Sequence, residues 1–339
     1  MTNNKILIYS PVFYPSIGGI ESVVAALAKG LSIRDRAVKV VCQTPASDRK
    51  TFPFEVIRHP HPQQLLKLTR WCDIYFQACL SLKGLWPLFV APKPLVATHQ
   101  TWYRRLDGSL GVQDRLKLAI SKGATNIAAS RAIAQHLPAP ATVIPNPYAD
   151  DIFHLMPNIV RDRDLVFVGR WVSDKGVDLL IEALYRLKLR GLAPNLTLVG
   201  SGPEEPQLRQ QVRERGLSQQ VDFVGLRVGK DLASLLNACR ILVVPSRWHE
   251  PFGIVALEGI ACGCVAIGSE GGGLKEAIGP CGTTFPNGDG EALTQILSDL
   301  LSNPEKLAPY KVEAQPHLKR YQTSTIVEEY LQIIEAVVR

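Results

Sequence analysis

The sequence lacks the patterns by which cysteine-rich and membrane-spanning proteins are recognised. Its 7 cysteines include no CxxC pair, and their spacing matches neither a zinc site nor a disulfide framework. Free thiols in a reducing cytoplasm are therefore expected. The most apolar long stretch, 79–97, is interrupted by lysine and proline, so no transmembrane helix is predicted. A strand-like segment begins at residue 5, which argues against a cleaved signal.

Acidic residues are scarce in the first half of the chain. Residues 1–150 carry a formal charge of +10 and residues 151–339 carry −3, which together give +7. The excess of cations predicts an anionic partner for the first half, such as a phosphorylated substrate, an anionic lipid or nucleic acid. No basic module interleaved with aromatic residues is present, so nucleic acid is not the expected partner.

Short β-branched runs alternate with helical patterns along most of the 339 residues. The alternation starts again near residue 164, after a stretch at 145–164 that is rich in proline, aspartate and asparagine. This pattern predicts parallel sheets covered by helices, arranged as two Rossmann-like α/β domains. Parallel sheets bind ligands at the carboxyl ends of their strands, so a cleft between two facing domains is the expected site.

Glycine-rich turns follow several predicted strands. Gly18 and Gly19 precede a helix, and Gly200 and Gly202 lie in a second turn of this kind. Glycine lets the main chain approach a ligand closely, and a helix start offers unpaired N–H groups to an anion. A tight turn without a ligand remains the alternative for the first pair. Close main-chain packing is favoured for the second, because the dinucleotide pattern GxGxxG is incomplete there.

Two cations and a histidine stand at the ends of other predicted strands. Arg170 follows one strand and Lys175 precedes the next helix, so both could contact phosphates near a helix start. A surface salt bridge is the alternative for either cation. His99 ends a strand in the first domain, where it would face the cleft, and a structural histidine is favoured equally.

Two glutamates stand eight residues apart in the stretch RWHEPFGIVALEGIACGC. Glu250 falls in a loop, whereas Glu258 falls about one turn inside a predicted helix among apolar neighbours. Glu258 either complements the helix dipole or accepts hydrogen bonds from a vicinal diol such as a ribose. Free N–H groups are expected at the helix start, on Phe252, Gly253 and Ile254.

Taken together, these motifs resemble those of the retaining glycosyltransferases of family GT4, the group 1 glycosyltransferases, which have the GT-B fold. The order GG-I-E, GR-x4-K-G, GSGP, EPFG-x4-E, GG covers nearly the whole chain. The resemblance implies an acceptor-binding domain formed by 1–155 and a crossover helix at 322–339. It implies a donor-binding domain formed by 156–321.

The resemblance also implies residue roles. Arg170 and Lys175 match the pair that binds the donor diphosphate, and Glu258 matches the carboxylate that binds the nucleotide ribose. Glu250 matches the group that binds the donor sugar, together with the main chain of 252–254. The glycines of the first turn match a loop near the phosphates, and His99 matches the active-site histidine. The expected catalytic set is His99, Arg170, Lys175 and Glu250. The expected donor-binding set is Gly18, Gly19, Arg170, Lys175, Gly200, Gly202, Phe252, Gly253, Ile254 and Glu258.

The function implied is retaining transfer of a hexose from a UDP- or GDP-sugar to a glycan or lipid-linked acceptor, in polysaccharide or glycolipid synthesis. No cofactor and no metal are expected, because two cations face the leaving diphosphate and no DxD-like pair stands at a suitable position. Front-face displacement is the expected mechanism, since no carboxylate nucleophile can be identified. A sugar-nucleotide epimerase on the same fold and a non-catalytic nucleotide-sugar-binding protein are the alternatives.

The basic segment 103–123 suggests where the enzyme is located. A solvated helix face would explain its charges, and so would contact with an anionic membrane or a lipid-pyrophosphate acceptor. Peripheral association with the inner face of the cell membrane is therefore a hypothesis, with a cytoplasmic protein as the baseline. The charged residues concerned are Arg104, Arg105, Arg115, Lys117 and Lys122, opposed by Asp107 and Asp114.

Overall fold

The computed structural model describes residues 4–16, 18–46, 51–104 and 108–338. Arg105 and Asp107 of the basic segment lie outside these ranges. The chain divides into two compact units, Met1–Pro147 with Tyr321–Arg339, and Tyr148–Arg320. Each unit contains one parallel sheet with helices, which confirms the α/β class and the two-domain architecture. The acceptor and donor roles expected for the two domains stay a prediction.

The first unit is built on a seven-stranded parallel sheet. Its strands are β1 Lys5–Ser10, β2 Ala37–Cys42, β3 Glu55–Arg58, β4 Ile74–Ala78, β5 Leu95–His99, β6 Thr125–Ala128 and β7 Ala141–Val143. Its first helices are α1 Gly19–Ile33, α2 Pro62–Trp71, α3 Leu82–Leu85, α4 Pro87–Val90, α5 Val112–Ser121 and α6 Arg131–His136. The strand order is β3-β2-β1-β4-β5-β6-β7. The central strands are buried on both faces, so apolar residues run through them without alternation.

The second unit is built on a six-stranded parallel sheet. Its strands are β8 Arg163–Val168, β9 Leu196–Val199, β10 Val221–Gly225, β11 Cys239–Val244, β12 Val265–Ser269 and β13 Gly282–Phe285. Its helices are α7 Val177–Leu189, α8 Glu205–Glu214, α9 Gly229–Asn237, α10 Ile254–Ala261, α11 Leu274–Ile278, α12 Gly290–Ser302, α13 Leu307–Val312 and α14 Ala314–Lys319. The strand order is β10-β9-β8-β11-β12-β13.

The last helix, α15 (Thr323–Val338), belongs to the first unit and packs on α1. Gly30 makes the close approach of these two helices feasible, because a Cβ there would lie 2.5 Å from a methyl group of Val327. At the end of α1, the guanidinium of Arg36 donates to the carboxylate of Glu335 at 2.5 Å. No described helix has both the length and the apolar character needed to cross a bilayer.

The direction in which strands are added reverses once in each sheet. In the first sheet the reversal lies between β1 and β4, and in the second between β8 and β11. The loops that leave the two strands at such a point run to opposite faces of the sheet and leave a crevice at the carboxyl ends of the strands. These two positions are where the sequence motifs are found.

Candidate functional site

Two charged residues of the second unit that the sequence singled out meet where the strand order reverses. Lys175 follows β8 and Glu250 follows β11, and the Lys175 ammonium donates to Glu250 Oε1 at 2.6 Å. Ser246 Oγ donates to the same oxygen at 2.5 Å. The two charged side chains are only 24% and 12% exposed, so this ion pair is shielded from bulk water. The sequence predicts phosphate contacts for both cations, with a salt bridge as the alternative, and in the structure Lys175 forms a salt bridge with Glu250.

Gly176 brings the loop that carries Lys175 against β11. Its φ of 68° lies in the left-handed region, which L side chains rarely adopt. A Cβ at this position would also overlap the carbonyl oxygen of Pro245, directly after β11. Farther along the loop after β11, the Arg247 guanidinium donates to both carboxylate oxygens of Asp178 in α7, at 2.5 and 2.7 Å. The loops after β8 and β11 are therefore held together next to the ion pair.

The glycines after β12 support the main chain of Glu250. The N–H of Gly273 donates to the Glu250 carbonyl oxygen at 2.8 Å, and Gly272 forms a parallel bridge with Glu250. Gly272 has a φ of 81°, and a Cβ there would overlap the Glu250 carbonyl oxygen. This explains why residue 272 is a glycine.

Asn287 is a supporting residue that the sequence analysis missed. Its amide oxygen accepts from the N–H of Gly271 at 2.8 Å, and its amide nitrogen donates to the Ser246 carbonyl oxygen at 2.9 Å. It therefore joins the loop after β12 to the loop that carries Ser246 and Glu250. In the sequence this asparagine stands in FPNGDG, a pattern that signals a turn and nothing more.

Arg170 is exposed at the end of β8, and within the described ranges its guanidinium has no ion-pair or hydrogen-bond partner. The segment around it packs against the glycine-rich turn after β9. A Cβ at Gly200 would overlap the Gly169 carbonyl oxygen, and a Cβ at Gly202 would overlap that of Trp171. These two glycines therefore serve the main-chain packing that the sequence analysis favoured, and they hold the segment that carries Arg170.

Glu258 lies in the second turn of α10 and is half-buried. Its carboxylate makes no hydrogen bond or ion pair within the part of the chain that the structure describes. Desolvation by the surrounding protein raises its pKa to about 7. A carboxylate withdrawn from water without a partner is costly, and the raised pKa expresses that cost. Glu258 is thus a hydrogen-bond acceptor to which no described residue donates.

The start of α10 is shaped by Gly253, which has a φ of 106°. A Cβ at this glycine would lie 2.5 Å from Leu274 Cδ1, so the helix start packs tightly on α11. Phe252 is buried beneath the turn, whereas Ile254 is half-buried at the first helical position. The first N–H groups of a helix have no intrahelical partner, which makes this end of α10 suitable for an anion or a hydroxyl oxygen.

His99 ends β5 in the first unit and is fully buried. Its Nδ1 lies 2.8 Å from the Tyr103 hydroxyl, and its Nε2 lies 2.9 Å from Asn126 Oδ1. The Asn126 amide nitrogen already donates to the Ser121 carbonyl, so its oxygen accepts from Nε2–H and Nδ1 accepts from Tyr103. Burial lowers the His99 pKa to about 4, so the ring is neutral. This geometry supports the structural alternative, and a catalytic role would require His99 to exchange both hydrogen bonds.

The first glycine pair lies where the sequence placed it, at the start of α1. Gly18 is extended, with a φ of 178°, and its carbonyl accepts from the N–H and the hydroxyl of Ser22. Gly19 is exposed as the first residue of the helix. In the described ranges, no group of three or more His, Cys, Asp or Glu side chains is arranged to hold a metal ion.

Comparison with known proteins connects this geometry to a family. Residues 157–316 match the family described as glycosyl transferases group 1, and these residues include Arg170, Lys175, Glu250 and Glu258. Over these residues the chain is similar to the group 1 glycosyltransferases. It is similar to phosphatidyl-myo-inositol mannosyltransferase of Mycobacterium leprae, with 25% identity over 98% of this chain and 97% of that protein.

A second relative matches over a shorter range. D-inositol 3-phosphate glycosyltransferase of Stackebrandtia nassauensis is 33% identical over 49% of the chain and 40% of that protein. Among solved structures, Anabaena HepE in complex with UDP and glucose has a TM-score of 0.81 at 22% identity, covering 98% of this chain and 100% of that chain. The likeness shows the fold, which is the expected GT-B fold.

Proposed function

We propose that this protein is a group 1 glycosyltransferase that transfers a hexose, with retention of configuration, from a UDP- or GDP-sugar to a glycan or lipid-linked acceptor in polysaccharide or glycolipid synthesis. The observation that carries the proposal is the half-buried carboxylate of Glu258, which has no partner within the described chain. A ribose diol supplies two hydroxyl donors for such a group. HepE, which shares the fold, was solved with UDP and glucose, and this favours UDP as the nucleotide part of the donor.

The leaving diphosphate is assigned to the cations after β8. Arg170 is exposed and has no protein partner in the described ranges, so its planar guanidinium can bind two phosphate oxygens. Lys175 has three donor protons and uses one of them on Glu250. Its remaining protons can reach a phosphate while the ion pair persists. This arrangement replaces a metal ion at the leaving group, and no separate cofactor is required.

Glu250 is assigned to the donor sugar. Its Oε1 accepts from Lys175 and Ser246, whereas Oε2 has no hydrogen bond within the described residues. A hydroxyl of the sugar can donate to that second oxygen. Because Lys175 neutralises Glu250, the carboxylate is a poor nucleophile and acts by positioning. The phosphate that leaves then accepts the proton of the acceptor hydroxyl, and the cations stabilise the charge that develops on it, by several kcal/mol.

Arg170→Ala tests this assignment. The rate at which UDP or GDP is released from the nucleotide sugar should fall by roughly 100-fold or more, as when one charge-stabilising group is removed from an active site. Arg213→Ala removes an exposed arginine from α8 and serves as the control. A thermal-shift screen against UDP-, GDP- and ADP-sugars would first identify the donor, because a ligand stabilises the fold in proportion to its affinity. Turnover that is unchanged in Arg170→Ala would contradict the proposal.

We also propose that α5 rests on an anionic membrane surface as a peripheral contact. Val112 and Leu116, four residues apart on one face, are 84% and 49% exposed. Arg115 and Lys122 are exposed beside them. Exposed apolar side chains between cations are the pattern of a helix lying at the membrane interface. The structure also revises the basic segment, because its other described cations stack on aromatic rings: Lys117 on Tyr103 and Arg104 on Trp102.

Flotation with phosphatidylglycerol vesicles tests the membrane contact. The protein should float with these vesicles at low salt and less at high salt, and phosphatidylcholine vesicles should not carry it. The double variant Val112→Ser and Leu116→Ser should lose flotation. Val160→Ser, at an equally exposed valine of the second unit, is the control. Protein that stays unbound at low salt would refute the contact without affecting the proposed chemistry.

A further inference from the structure

The strand reversal in the first sheet brings together three chain segments whose polar side chains have no part in the donor assignment. Strands β1, β4 and β5 are neighbours, and all three are parallel. The first turn of α1 follows β1, Cys79 follows β4, and Gln100 follows β5. Their side chains therefore belong to one end of the sheet, where parallel α/β sheets bind ligands.

Gln100 is a buried amide without internal partners. Only 8% of the Gln100 surface is exposed. Neither its Nε2 nor its Oε1 has a hydrogen-bond partner within the described ranges. An amide that loses water without gaining a partner is destabilising, and each group left unsatisfied adds to the cost. Such a group in a folded protein calls for an explanation, and a ligand that supplies the missing partners is one.

Glu21 is a second polar group without a partner. It lies half-buried in the first turn of α1, and its side chain makes no hydrogen bond or ion pair to any described residue. Its carboxylate is folded back over Gly18, since a Cβ on that glycine would lie 2.6 Å from Glu21 Oε2. The first glycine of the GGIE motif therefore leaves room for this carboxylate.

Cys79 connects the two groups. Burial raises the pKa of the Cys79 thiol to about 12. A hydrogen bond from the main chain of Gln100 opposes this rise in the pKa, and so does the charge of Lys117, whereas the charge of Glu21 adds to it. Because β4 lies between β1 and β5, Cys79 at the end of β4 lies between the segment that carries Glu21 and the segment that carries Gln100.

We propose that the Glu21 carboxylate and the Gln100 side-chain amide together form a binding site for adjacent hydroxyl groups of the acceptor, which is a sugar or cyclitol ring. The carboxylate accepts from hydroxyls, and the amide both donates to a hydroxyl and accepts from one. A phosphate would be repelled by Glu21, so the ring carries its free hydroxyls toward these two residues. The inference rests on the proposed function, because it specifies the chemical groups of the acceptor that the first unit binds.

Two variants test the site. Gln100→Leu removes both amide groups at similar volume, and Glu21→Gln removes the charge. Saturation-transfer difference NMR with methyl α-D-glucopyranoside and with myo-inositol, each measured with and without UDP, reports binding of the ring directly. Each variant should bind at least one of these rings roughly fivefold or more weakly than the unmodified protein, as expected for the loss of one hydrogen bond. The controls are Gln64→Leu and Glu305→Gln, which change exposed residues.

Stability gives an independent readout for Gln100. Because its amide has no described partner, Gln100→Leu should unfold at the same urea concentration as the unmodified protein or at a higher one. A loss of stability would show that the amide has a structural role, and it would overturn the inference. So would the absence of ring binding in the unmodified protein, or unchanged binding in Glu21→Gln. The thermal shift caused by UDP should be the same in both variants, so a failure of donor binding in all proteins would count against the proposed function alone.

Discussion

Replacing Glu258 by glutamine should stabilise the second unit and at the same time weaken its binding of a nucleotide sugar. Burial raises the pKa of Glu258 to about 7, whereas a carboxyl group in an unfolded chain ionises near pH ~4.3. The ionised form is therefore less favourable in the fold than in the unfolded chain, by roughly 3–4 kcal/mol at pH 8.

The sign of the pH dependence follows from the raised pKa. The contribution of Glu258 to stability is fully present below the pKa of the unfolded chain and is lost as the pH rises through 7. Glutamine is neutral throughout, so Glu258→Gln should gain about 3 kcal/mol over the unmodified protein at pH 8 but only about 1 kcal/mol at pH 5. Urea unfolding at the two pH values measures the difference, and Glu305→Gln, at an exposed glutamate, should gain nothing.

Ligand affinity should change in the opposite direction. If the ionised carboxylate binds the ribose diol, the affinity follows the ionised fraction of Glu258. That fraction rises from about one tenth at pH 6 to about nine tenths at pH 8. Calorimetry should then show UDP-glucose binding about tenfold more tightly at pH 8 than at pH 6, and Glu258→Gln should bind weakly at both. UDP-glucose is preferable to UDP because it has no terminal phosphate that titrates in this range. A variant without added stability, or an affinity of the unmodified protein that does not change with pH, would refute the reasoning.

Other predictions concern the support of the site. Gly176→Ala should lower the free energy of unfolding by more than about 1 kcal/mol, because its φ of 68° and the neighbouring Pro245 carbonyl exclude a side chain; an unchanged urea midpoint would contradict this. His99 should show no imidazole titration by NMR above about pH 5, since burial lowers its pKa to about 4, and the stability it contributes should be lost as the pH falls from about 6.5 through 4. Lys175→Met and Glu250→Gln should each cost about 1–3 kcal/mol of stability, and the double variant should cost less than their sum; additive effects in this double-mutant cycle would argue against the ion pair.

The fold could be predicted largely because its central strands are buried on both faces. Runs such as KILIYS and ILVVPS carry a signal that does not depend on the rest of the chain. The two strands that the sequence did not indicate, β3 and β13, are both edge strands of four residues. Their residues are mostly half-exposed, so no uninterrupted apolar run marks them.

The position of the candidate site could also be predicted, but its internal contacts could not. Strand ends and helix starts follow from local sequence, and these located Arg170 and Glu250. Ser246 lies in the same loop as Glu250, but the ion pair with Lys175 depends on how two loops from different strands meet. No spacing in the sequence shows that meeting. For the same reason the sequence left the role of His99 open, whereas the structure shows both of its ring nitrogens engaged within the first unit.

The helix α15 makes the second unit an insertion within the first. The first unit contains Met1–Pro147 and is completed by Tyr321–Arg339, so its α1 remains uncovered while the intervening 148–320 are synthesised. The second unit is continuous in sequence and can fold as soon as it leaves the ribosome. A fragment that ends after 147 would expose the apolar face of α1 that α15 normally covers. We therefore expect the second unit to fold when it is expressed on its own, whereas the first unit should need both of its segments, joined by a short linker or supplied as two chains.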